Sequence, residues 1–366
     1  MSSCAVGRFG PAVTVRTMGE RWSSQRAAVW AETSGWLFGC NFTPSTSGNQ
    51  LEMWSPATFD LDTIERELSW AAGLGMNVVR VYLHDLLWSD DSDGLLGRLE
   101  QVLAVAAANG IRMMPVLLDG VWNPNPQLGV QGDPVPGVHN SMWVQSPGSS
   151  ILYREEAWDS LVPYVQGVTS RFKHDERIVA WDLFNEPDQL DIDTIVAGNR
   201  DAKSAASVGL AAHVFDWVRE VDPSQPLTIG LWEYVDATPA ESPLNELILE
   251  RSDVTSFHCY FAESQLRSVL SSLKSHGRPM VCTEWLARSE GSTVDLLEVF
   301  NEEGVGAINW GLVDGRTQTK RPWRTWWEAV DDNEPWFHEL LHADGTPYDV
   351  DEIAVIRSVV DGTNSV

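Results

Sequence analysis

Residues 178–187 read IVAWDLFNEP, an apolar run that ends abruptly in the polar pair Asn185-Glu186. A short apolar run of this kind predicts a buried β-strand, and this strand would deliver an amide and a carboxylate at its C-terminal end. Residues 279–285 read PMVCTEW and repeat the pattern with Glu284. The sequence therefore predicts two buried strands that each end in a glutamate, and cleavage of a glycosidic bond requires such a pair of carboxylates.

Apolar runs alternate with amphipathic helical patterns along the chain, which predicts parallel strands joined by helices. The predicted strands cover residues 37–42, 77–83, 111–118, 178–184, 227–231, 254–258, 279–283 and 305–309. The predicted helices cover residues 60–73, 95–109, 158–172, 204–221, 263–276 and 294–301, with a less regular pattern around 243–251. Eight consecutive units favour a closed (β/α)8 TIM barrel, because an open sheet would need a reversal of strand order for which the chain gives no sign.

The predicted architecture is a single domain over residues 1–366, with extended loops after strands 3 and 8. The barrel core covers about 36–311, between an N-terminal extension over 1–35 and a C-terminal loop and helix over 312–366. Loops at the C-terminal ends of barrel strands build the active site. We therefore expect the long loop after strand 3 to give a blocked or pocket-shaped site rather than an open cleft, which favours exo action or short substrates.

The charge balance narrows the class of substrate. The chain carries 25 basic and 52 acidic residues, a net charge of −27, which opposes the approach of nucleic acids and other anionic polymers. A small neutral carbohydrate fits this charge better. No apolar run approaches the ~18 residues of a membrane span, and residues 1–20 lack the apolar centre of a secretory signal. We therefore expect an intracellular, cytoplasmic enzyme that binds no membrane.

Neither the cysteines nor the histidines show the spacing of a metal site. The four cysteines, Cys4, Cys40, Cys259 and Cys282, are widely separated, and three lie in or beside predicted strands, which favours reduced core thiols over a disulfide. His84, Asp119 and His139 also lack close ligand spacing. We predict no metal and no cofactor.

The two glutamates need different surroundings if they share one reaction. In retaining hydrolysis one carboxylic acid protonates the leaving oxygen, and the other stays ionised to attack the anomeric carbon. Arg80 on the second strand and Tyr260 after the sixth are candidate donors that would hold Glu284 charged. Asn185 is a candidate contact for a sugar hydroxyl beside the reacting carbon. On a closed barrel all of these side chains converge at one mouth.

The ordered set of strand-end residues resembles the retaining glycoside hydrolase clan of (β/α)8 barrels, and most closely the cellulase-like family 5. The matching residues are Arg80, Asn185-Glu186, His258-Cys259-Tyr260, Glu284 and Trp310. The resemblance covers about residues 36–311 and implies a retaining β-glycoside hydrolase. It also implies roles for five of these residues: Glu186 as acid/base, Glu284 as nucleophile, Asn185 as hydroxyl contact, Tyr260 as partner of the nucleophile and Trp310 as sugar platform.

One position departs from the family pattern. Many members have a histidine at the end of the third strand, where this chain reads Leu117-Leu118-Asp119-Gly120. Asp119, or His84 from the preceding strand, is a candidate for the vacant space. In the loop after the third strand, Trp122, His139 and Trp143 complete the candidate substrate contacts.

Structural alternatives stay open for most of these residues. Glu186 could be an ordinary carboxylate at a helix N-terminus, Arg80 could be a plain ion-pair residue, and His258 could be a satisfied core histidine. The tryptophans near strand ends, Trp88, Trp122, Trp143 and Trp285, could pack rather than bind sugar.

Three functional rivals also stay open: a transglycosylase with the same glutamate pair, a non-catalytic carbohydrate-binding barrel, and a barrel lyase or metal-dependent isomerase. The sequence leaves the sugar, the linkage and the oligomeric state undetermined.

Overall fold

The computed structural model describes residues 20–190 and 200–363, which contain eight parallel strands arranged as a barrel. The barrel strands are β1 (Phe38–Asn41), β2 (Val78–Tyr82), β3 (Arg112–Asp119), β4 (Trp181–Asn185), β5 (Leu227–Thr228), β6 (Thr255–His258), β7 (Met280–Glu284) and β8 (Gly306–Trp310). Their order around the sheet is β5-β4-β3-β2-β1-β8-β7-β6. A parallel bridge between Leu231, three residues beyond β5, and Phe257 of β6 brings the two edges of the sheet together, and the predicted (β/α)8 barrel is confirmed.

Helices follow the strands in the alternating order that the sequence predicts. The described helices are α1 (Ser24–Ser34), α2 (Gln50–Trp54), α3 (Leu61–Gly73), α4 (Asp85–Ala108), α5 (Ser149–Leu152), α6 (Val162–Phe172), α7 (Arg200–Val221), α8 (Pro243–Arg251), α9 (Glu263–Lys274), α10 (Leu296–Glu302) and α11 (Val350–Thr363). Helix α8 confirms the helix that was predicted from the least regular pattern. The main apolar core lies between the outer faces of the strands and these helices.

Among the elements whose bounds differ from the predicted ones, two have a clear local reason. Helix α4 begins ten residues before the predicted start because two helical segments join at Asp91, whose carboxylate accepts a hydrogen bond from the Gly94 backbone NH (2.9 Å) and starts the second segment. Strand β5 ends at Thr228 rather than at residue 231. Beyond it the backbone of Gly230 lies against His258, and a Cβ at Gly230 would stand 2.9 Å from Nε2 of His258.

Side chains of β2 point alternately to the outer face of the sheet and into the barrel interior. Val79 and Val81 belong to the main core under the helices. Arg80 and Tyr82, two residues apart on the same face, therefore point into the barrel interior. Charged and phenolic groups thus lie inside the C-terminal half of the barrel, where the active site of such a fold is built.

A small apolar cluster fills the opposite, N-terminal end of the barrel. It contains Leu37, Val78, Met114, Val179, Ala180, Val281 and Ile308. Trp30 of α1 packs against this cluster and donates its indole NH to the Val179 carbonyl (3.0 Å), so α1 covers the barrel bottom. The part of the predicted N-terminal extension before residue 20, together with Cys4 and the segment searched for a secretory signal, lies outside the described residues.

Cys40, Cys259 and Cys282 are buried and free, as predicted for core thiols. Burial raises the pKa of the Cys259 thiol to about 12, so these groups stay protonated. No helix in the described ranges is both long and apolar enough to cross a membrane.

Candidate active site

A pocket of about 470 Å³ opens at the C-terminal ends of the strands. Of the residues proposed from the sequence, nine line it: Trp122, His139, Trp143, Asn185, Glu186, His258, Tyr260, Glu284 and Trp310. Arg80, His84 and Asp119 are buried but do not line it. The structure therefore brings most of the predicted set to one cavity and places three members behind its wall.

Glu284, the last residue of β7, is held by donors on both carboxylate oxygens. Oε1 accepts hydrogen bonds from Arg80 Nη1 (2.8 Å) and the Tyr82 hydroxyl (2.9 Å). Oε2 accepts one from the Tyr260 hydroxyl (2.8 Å), and Nδ1 of His258 stands 3.5 Å away. These contacts stabilise the ionised carboxylate and fix its direction.

The surroundings lower the pKa of Glu284. Burial is the largest single influence and by itself would raise the pKa. The positive charges of His258 and Arg80, together with hydrogen bonds from Tyr260 and Tyr82, outweigh it. Glu284 is therefore an anion held ready inside a buried site.

Glu186 follows the last residue of β4 and has fewer partners. Its Oε1 shares a hydrogen bond with Nδ1 of His258 (2.7 Å), and its Oε2 accepts one from Gln189 Nε2 (3.3 Å). The backbone of Glu186 has φ +37°, in a region that non-glycine residues seldom occupy. Such conformations concentrate at functional sites, where the surrounding structure holds them in place.

The pKa of Glu186 shifts in the opposite direction. Burial raises it most, the hydrogen bond and charge of His258 lower it, and the negative charge of Glu284 raises it further. The net effect is a raised pKa, which favours a protonated carboxyl group at Glu186. Two glutamates that share one pocket thus have their pKa values pushed apart.

The two carboxyl groups are close. One carboxylate oxygen of each glutamate and a ring nitrogen of His258 all lie within 4.8 Å of one another. Within residues 20–190 and 200–363, this group of three is the one whose spacing could hold a metal ion. His258 already hydrogen-bonds Glu186 across the space between them, and the absence of a metal requirement stays a prediction.

Arg80 is fully buried beneath the pocket and links three strands. Besides Glu284, it donates to Asp182 Oδ2 through Nε (2.9 Å), to Asn185 Oδ1 through Nη2 (2.7 Å) and to Asn41 Oδ1 through Nη1 (2.8 Å). A buried guanidinium needs this degree of pairing to offset the loss of hydration. Arg80 therefore orients both the nucleophile candidate and the amide beside the acid candidate.

Asp119 lies behind the wall as an acceptor for pocket residues. Its Oδ2 accepts from the Trp143 indole NH (2.6 Å) and Gln50 Nε2 (2.9 Å), and its Oδ1 accepts from Asn185 Nδ2 (3.0 Å). Burial raises the pKa of Asp119 to about 7. In this position Asp119 holds the Trp143 and Asn185 side chains by hydrogen bonds, and it does not line the pocket itself.

His84 is likewise distant from the pocket surface. It precedes α4 and accepts a hydrogen bond at Nδ1 from the Leu86 backbone NH (3.2 Å), close to the Asp85 carboxylate (3.2 Å). His84 is thus the N-cap of α4, and it is not among the residues that line the pocket. At the end of the third strand, where many family members have a histidine, Asp119 accepts hydrogen bonds from the Asn185 amide and the Trp143 indole.

Aromatic side chains form much of the remaining wall. Trp310, Trp143 and Tyr82 meet edge-to-face, with ring centroids 5.1–5.9 Å apart. The loop residues Trp122 and His139 lie beside one another at 5.9 Å. Trp88 packs on Tyr164 and Trp285 packs on Phe300, so neither of these tryptophans lines the pocket.

Sequence reasoning missed several contributors. Tyr82 donates to Glu284, Asp182 pairs with Arg80, and Trp232, Trp323 and His338 line the pocket. A signal existed for the first two, because polar residues inside the apolar runs of β2 and β4 must point into the barrel interior or be buried unpaired. The other three lie in loops, where no periodicity reports their direction.

Comparisons with known proteins match the chain to a family. The family model described as Cellulase (glycosyl hydrolase family 5) matches residues 38–315. A search among curated proteins gave no match.

Solved structures share the fold at low sequence identity. GH5_18 from Streptomyces cattleya in complex with GlcNAc is 14% identical with a TM-score of 0.58, covering 90% of this chain and 80% of that one. The endo-1,4-β-mannanase from Rhizomucor miehei is 15% identical with a TM-score of 0.57, covering 90% and 96%. The broad-specificity GH5-4 endoglucanase from Clostridium acetobutylicum is 14% identical with a TM-score of 0.55, covering 92% and 99%. At these identities the likeness concerns the fold alone.

Proposed function

The chain belongs to the cellulase family, glycosyl hydrolase family 5, and from this premise we propose that it hydrolyses a neutral β-linked glycoside or oligosaccharide with retention of anomeric configuration. The observation that carries the proposal is the glutamate pair. Carboxylate oxygens of Glu186 and Glu284 approach within 4.8 Å, near the ~5–5.5 Å of retaining enzymes and below the ~6.5–9.5 Å that leaves room for water in inverting enzymes.

In the first step Glu186 acts as acid and Glu284 as nucleophile. The proton of Glu186 passes to the glycosidic oxygen as the bond from that oxygen to the anomeric carbon breaks. A carboxylate oxygen of Glu284 forms the new bond to the anomeric carbon from the opposite face. The leaving group departs as an alcohol, and the sugar stays on Glu284 as an ester.

In the second step the same pair works in reverse. Esterification removes the negative charge of Glu284, which is one of the influences that raise the pKa of Glu186. The pKa of Glu186 therefore falls, and the ionised carboxylate can take a proton from an incoming water. The oxygen of that water bonds to the anomeric carbon, Glu284 leaves as a carboxylate, and the sugar is released with its original configuration.

The neighbours of the pair support these roles. Arg80, Tyr82 and Tyr260 hold the Glu284 carboxylate, and His258 bridges towards both glutamates. Asn185 lines the pocket beside Glu186 and contacts the hydroxyl next to the reacting carbon. Trp310 supplies a flat apolar face for the sugar ring, a surface that aromatic side chains offer widely in carbohydrate sites.

The test is a panel of 4-nitrophenyl β-glycosides with gluco, manno, xylo and galacto configuration. Gluco and manno sugars are included because neighbouring structures carry the names endoglucanase and mannanase. We expect release of 4-nitrophenol from at least one of them, and NMR of the first sugar product should show the β-anomer. No turnover on the panel, or an α-anomer as first product, would overturn the proposal.

A further inference from the structure

Two long loops meet over one side of the pocket. The β3 loop (residues 120–148) and the β8 loop (residues 311–347) are joined by backbone and side-chain hydrogen bonds. The Asn140 NH donates to the Thr317 carbonyl (2.8 Å), the Trp326 indole NH donates to the His139 carbonyl (2.8 Å), and the Gly137 NH donates to Gln318 Oε1 (2.7 Å). The two loops therefore form one continuous wall.

A pair of stacked indoles closes this wall. Trp122 of the β3 loop and Trp326 of the β8 loop lie face to face, with ring centroids 4.9 Å apart and planes 12° apart. Trp122 has a left-handed backbone with φ +65°, which is uncommon for a bulky residue. The stack and the hydrogen bonds on either side hold that conformation.

The wall rests on the segment that follows β1. Asn49 and Gln50 donate to the Met142 and Val144 carbonyls of the β3 loop (2.9 and 3.0 Å). Arg316 of the β8 loop pairs with Glu52 of α2 (3.1 Å). Because β1 and β2 lie between β8 and β3 in the sheet, the wall spans this whole half of the barrel mouth.

The position of Glu186, the proposed acid, determines which end of the substrate lies against the wall. The leaving oxygen must lie beside Glu186 on β4, so the leaving group extends towards the ends of β4, β5 and β6. Pocket residues on that side include Gln189, Trp232 and Phe261. The sugar that Glu284 attacks lies in the other half, over Trp310 and against the wall.

Resting on the proposed function, we propose that the enzyme is exo-acting and removes one sugar at a time from the non-reducing end. A chain that continued beyond the attacked sugar would meet the joined loops and the stacked Trp122 and Trp326. The pocket volume of about 470 Å³ lies in the lower half of the ~300–1,000 Å³ typical of small-molecule sites. The pocket opens to solvent beside Trp327, which lines it and is 69% exposed.

A buried amide in the wall fits a terminal sugar. Asn140 lines the pocket and is 1% exposed, and its Oδ1 has no hydrogen-bond partner among the described residues. An orphan acceptor of this kind is costly unless something satisfies it. A hydroxyl of a terminal sugar is a donor of the right chemistry, whereas that position on an internal sugar could carry the next linkage.

The experiment is a product analysis with β-1,4-linked gluco- and manno-tetrasaccharides labelled at the reducing end. At the earliest times we expect the labelled trisaccharide and an unlabelled monosaccharide. A labelled disaccharide or monosaccharide as the first product would overturn the inference. If the enzyme cleaves aryl glycosides with retention but cuts tetrasaccharides internally, the proposed function stands and the inference fails. If it cleaves no aryl glycoside, the proposed function itself fails.

Variants of the wall sharpen the result. Trp326→Ala removes the ring that stacks on the pocket residue Trp122 and should raise the share of internal cleavage about tenfold or more, the scale on which the shape of a site can discriminate. Trp122→Gly removes the partner ring and suits the left-handed backbone, so it serves where Trp326→Ala folds poorly. Trp336→Ala is the matched control, because Trp336 lies in the same loop but stacks on Tyr348 (4.6 Å) away from the pocket. If both wall variants fold and their products match those of Trp336→Ala, the wall does not set exo action.

Discussion

The ends of β4 and β7 each present a glutamate to the same pocket, yet the surroundings shift the pKa values of the two glutamates in opposite directions. Glu284 accepts three hydrogen bonds, one of them from a buried guanidinium, and its pKa is lowered. Glu186 has His258 and Gln189 as partners, lies near the negative charge of Glu284, and its pKa is raised. Residue type alone therefore assigns no role, because the neighbouring strands decide which carboxyl group keeps its proton.

The largest effect should come from removing the nucleophile. Glu284→Ala should lower kcat/KM for an aryl glycoside by about 10⁵-fold or more, since no covalent intermediate can form. Added azide should restore turnover and yield the α-glycosyl azide, because the small anion attacks from the vacated face. The isosteric Glu284→Gln should be equally inactive. Activity of Glu284→Ala without azide would show that the roles assigned to the two glutamates are wrong.

Removing the acid should have an effect that depends on the leaving group. Glu186→Gln should reduce hydrolysis of an unactivated disaccharide by about 10³-fold, within the usual range for general acid catalysis. Glycosylation by a 2,4-dinitrophenyl glycoside should fall much less, because that leaving group needs no proton. Stopped-flow measurement of the dinitrophenolate burst distinguishes the two. Equal losses for both substrates would contradict the acid role.

Glu186→Gln also tests the alkaline limb of the pH profile. Activity needs Glu186 protonated in the first step, so kcat/KM of the wild type should fall as the pH rises through the raised pKa of this group. With an activated substrate the variant should lose that limb and retain the acid limb of Glu284. If the variant keeps the alkaline limb, the limb reports the ionisation of a group other than Glu186.

Arg80→Lys should weaken the environment of Glu284 without removing the charge. Lysine cannot reproduce the guanidinium contacts to Asp182, Asn185 and Glu284 at once, so we expect a loss of about 10²-fold in kcat and a lower Tm. Arg98→Lys is the matched control: Arg98 is also buried, but on α4 away from the pocket, where it pairs with Asp91. Similar kinetic losses in both variants would mean that Arg80 acts through general stability.

The smallest expected effect concerns a single hydroxyl. Tyr260→Phe removes a donor that lowers the pKa of Glu284, so that pKa should rise. Because activity disappears as the pH falls through this pKa, the acid limb of kcat/KM should move to higher pH, with a loss of about tenfold near the optimum. Tyr348→Phe, at a tyrosine outside the pocket, should leave the limb in place. If the acid limb of Tyr260→Phe stays at the wild-type pH, Tyr260 does not influence the pKa of Glu284.

Strand ends were predictable because the sequence marks them locally. A short apolar run with a polar end fixes where a buried strand stops, and eight such runs place their ends on one barrel mouth. Arg80 was predictable for a related reason, since a charge within Val78-Val79-Arg80-Val81 must find buried partners. The same logic, applied to Tyr82 and Asp182, would have found two further members of the network.

The loop contributions were not predictable from the sequence. Trp122 was proposed as a contact, but its stacking partner Trp326 is 204 positions away, and both lie outside the strands and α-helices of the barrel. Asp119 and His84 were candidates for the same space. Only the structure shows that Asp119 lies behind Trp143 and that His84 caps α4. Long-range loop contacts carry no periodic signature, so spacing along the chain cannot report them.

Covalent trapping tests the central claim most directly. The wild type would be incubated with the 2-deoxy-2-fluoro, 2,4-dinitrophenyl derivative of the sugar that the aryl panel selects, and its peptides would be analysed by mass spectrometry. We predict a burst of one equivalent of dinitrophenolate and a fluoroglycosyl ester on Glu284, absent from Glu284→Gln. A label on Glu186, or steady turnover with no labelled peptide, would contradict the assignment of Glu284 as the nucleophile.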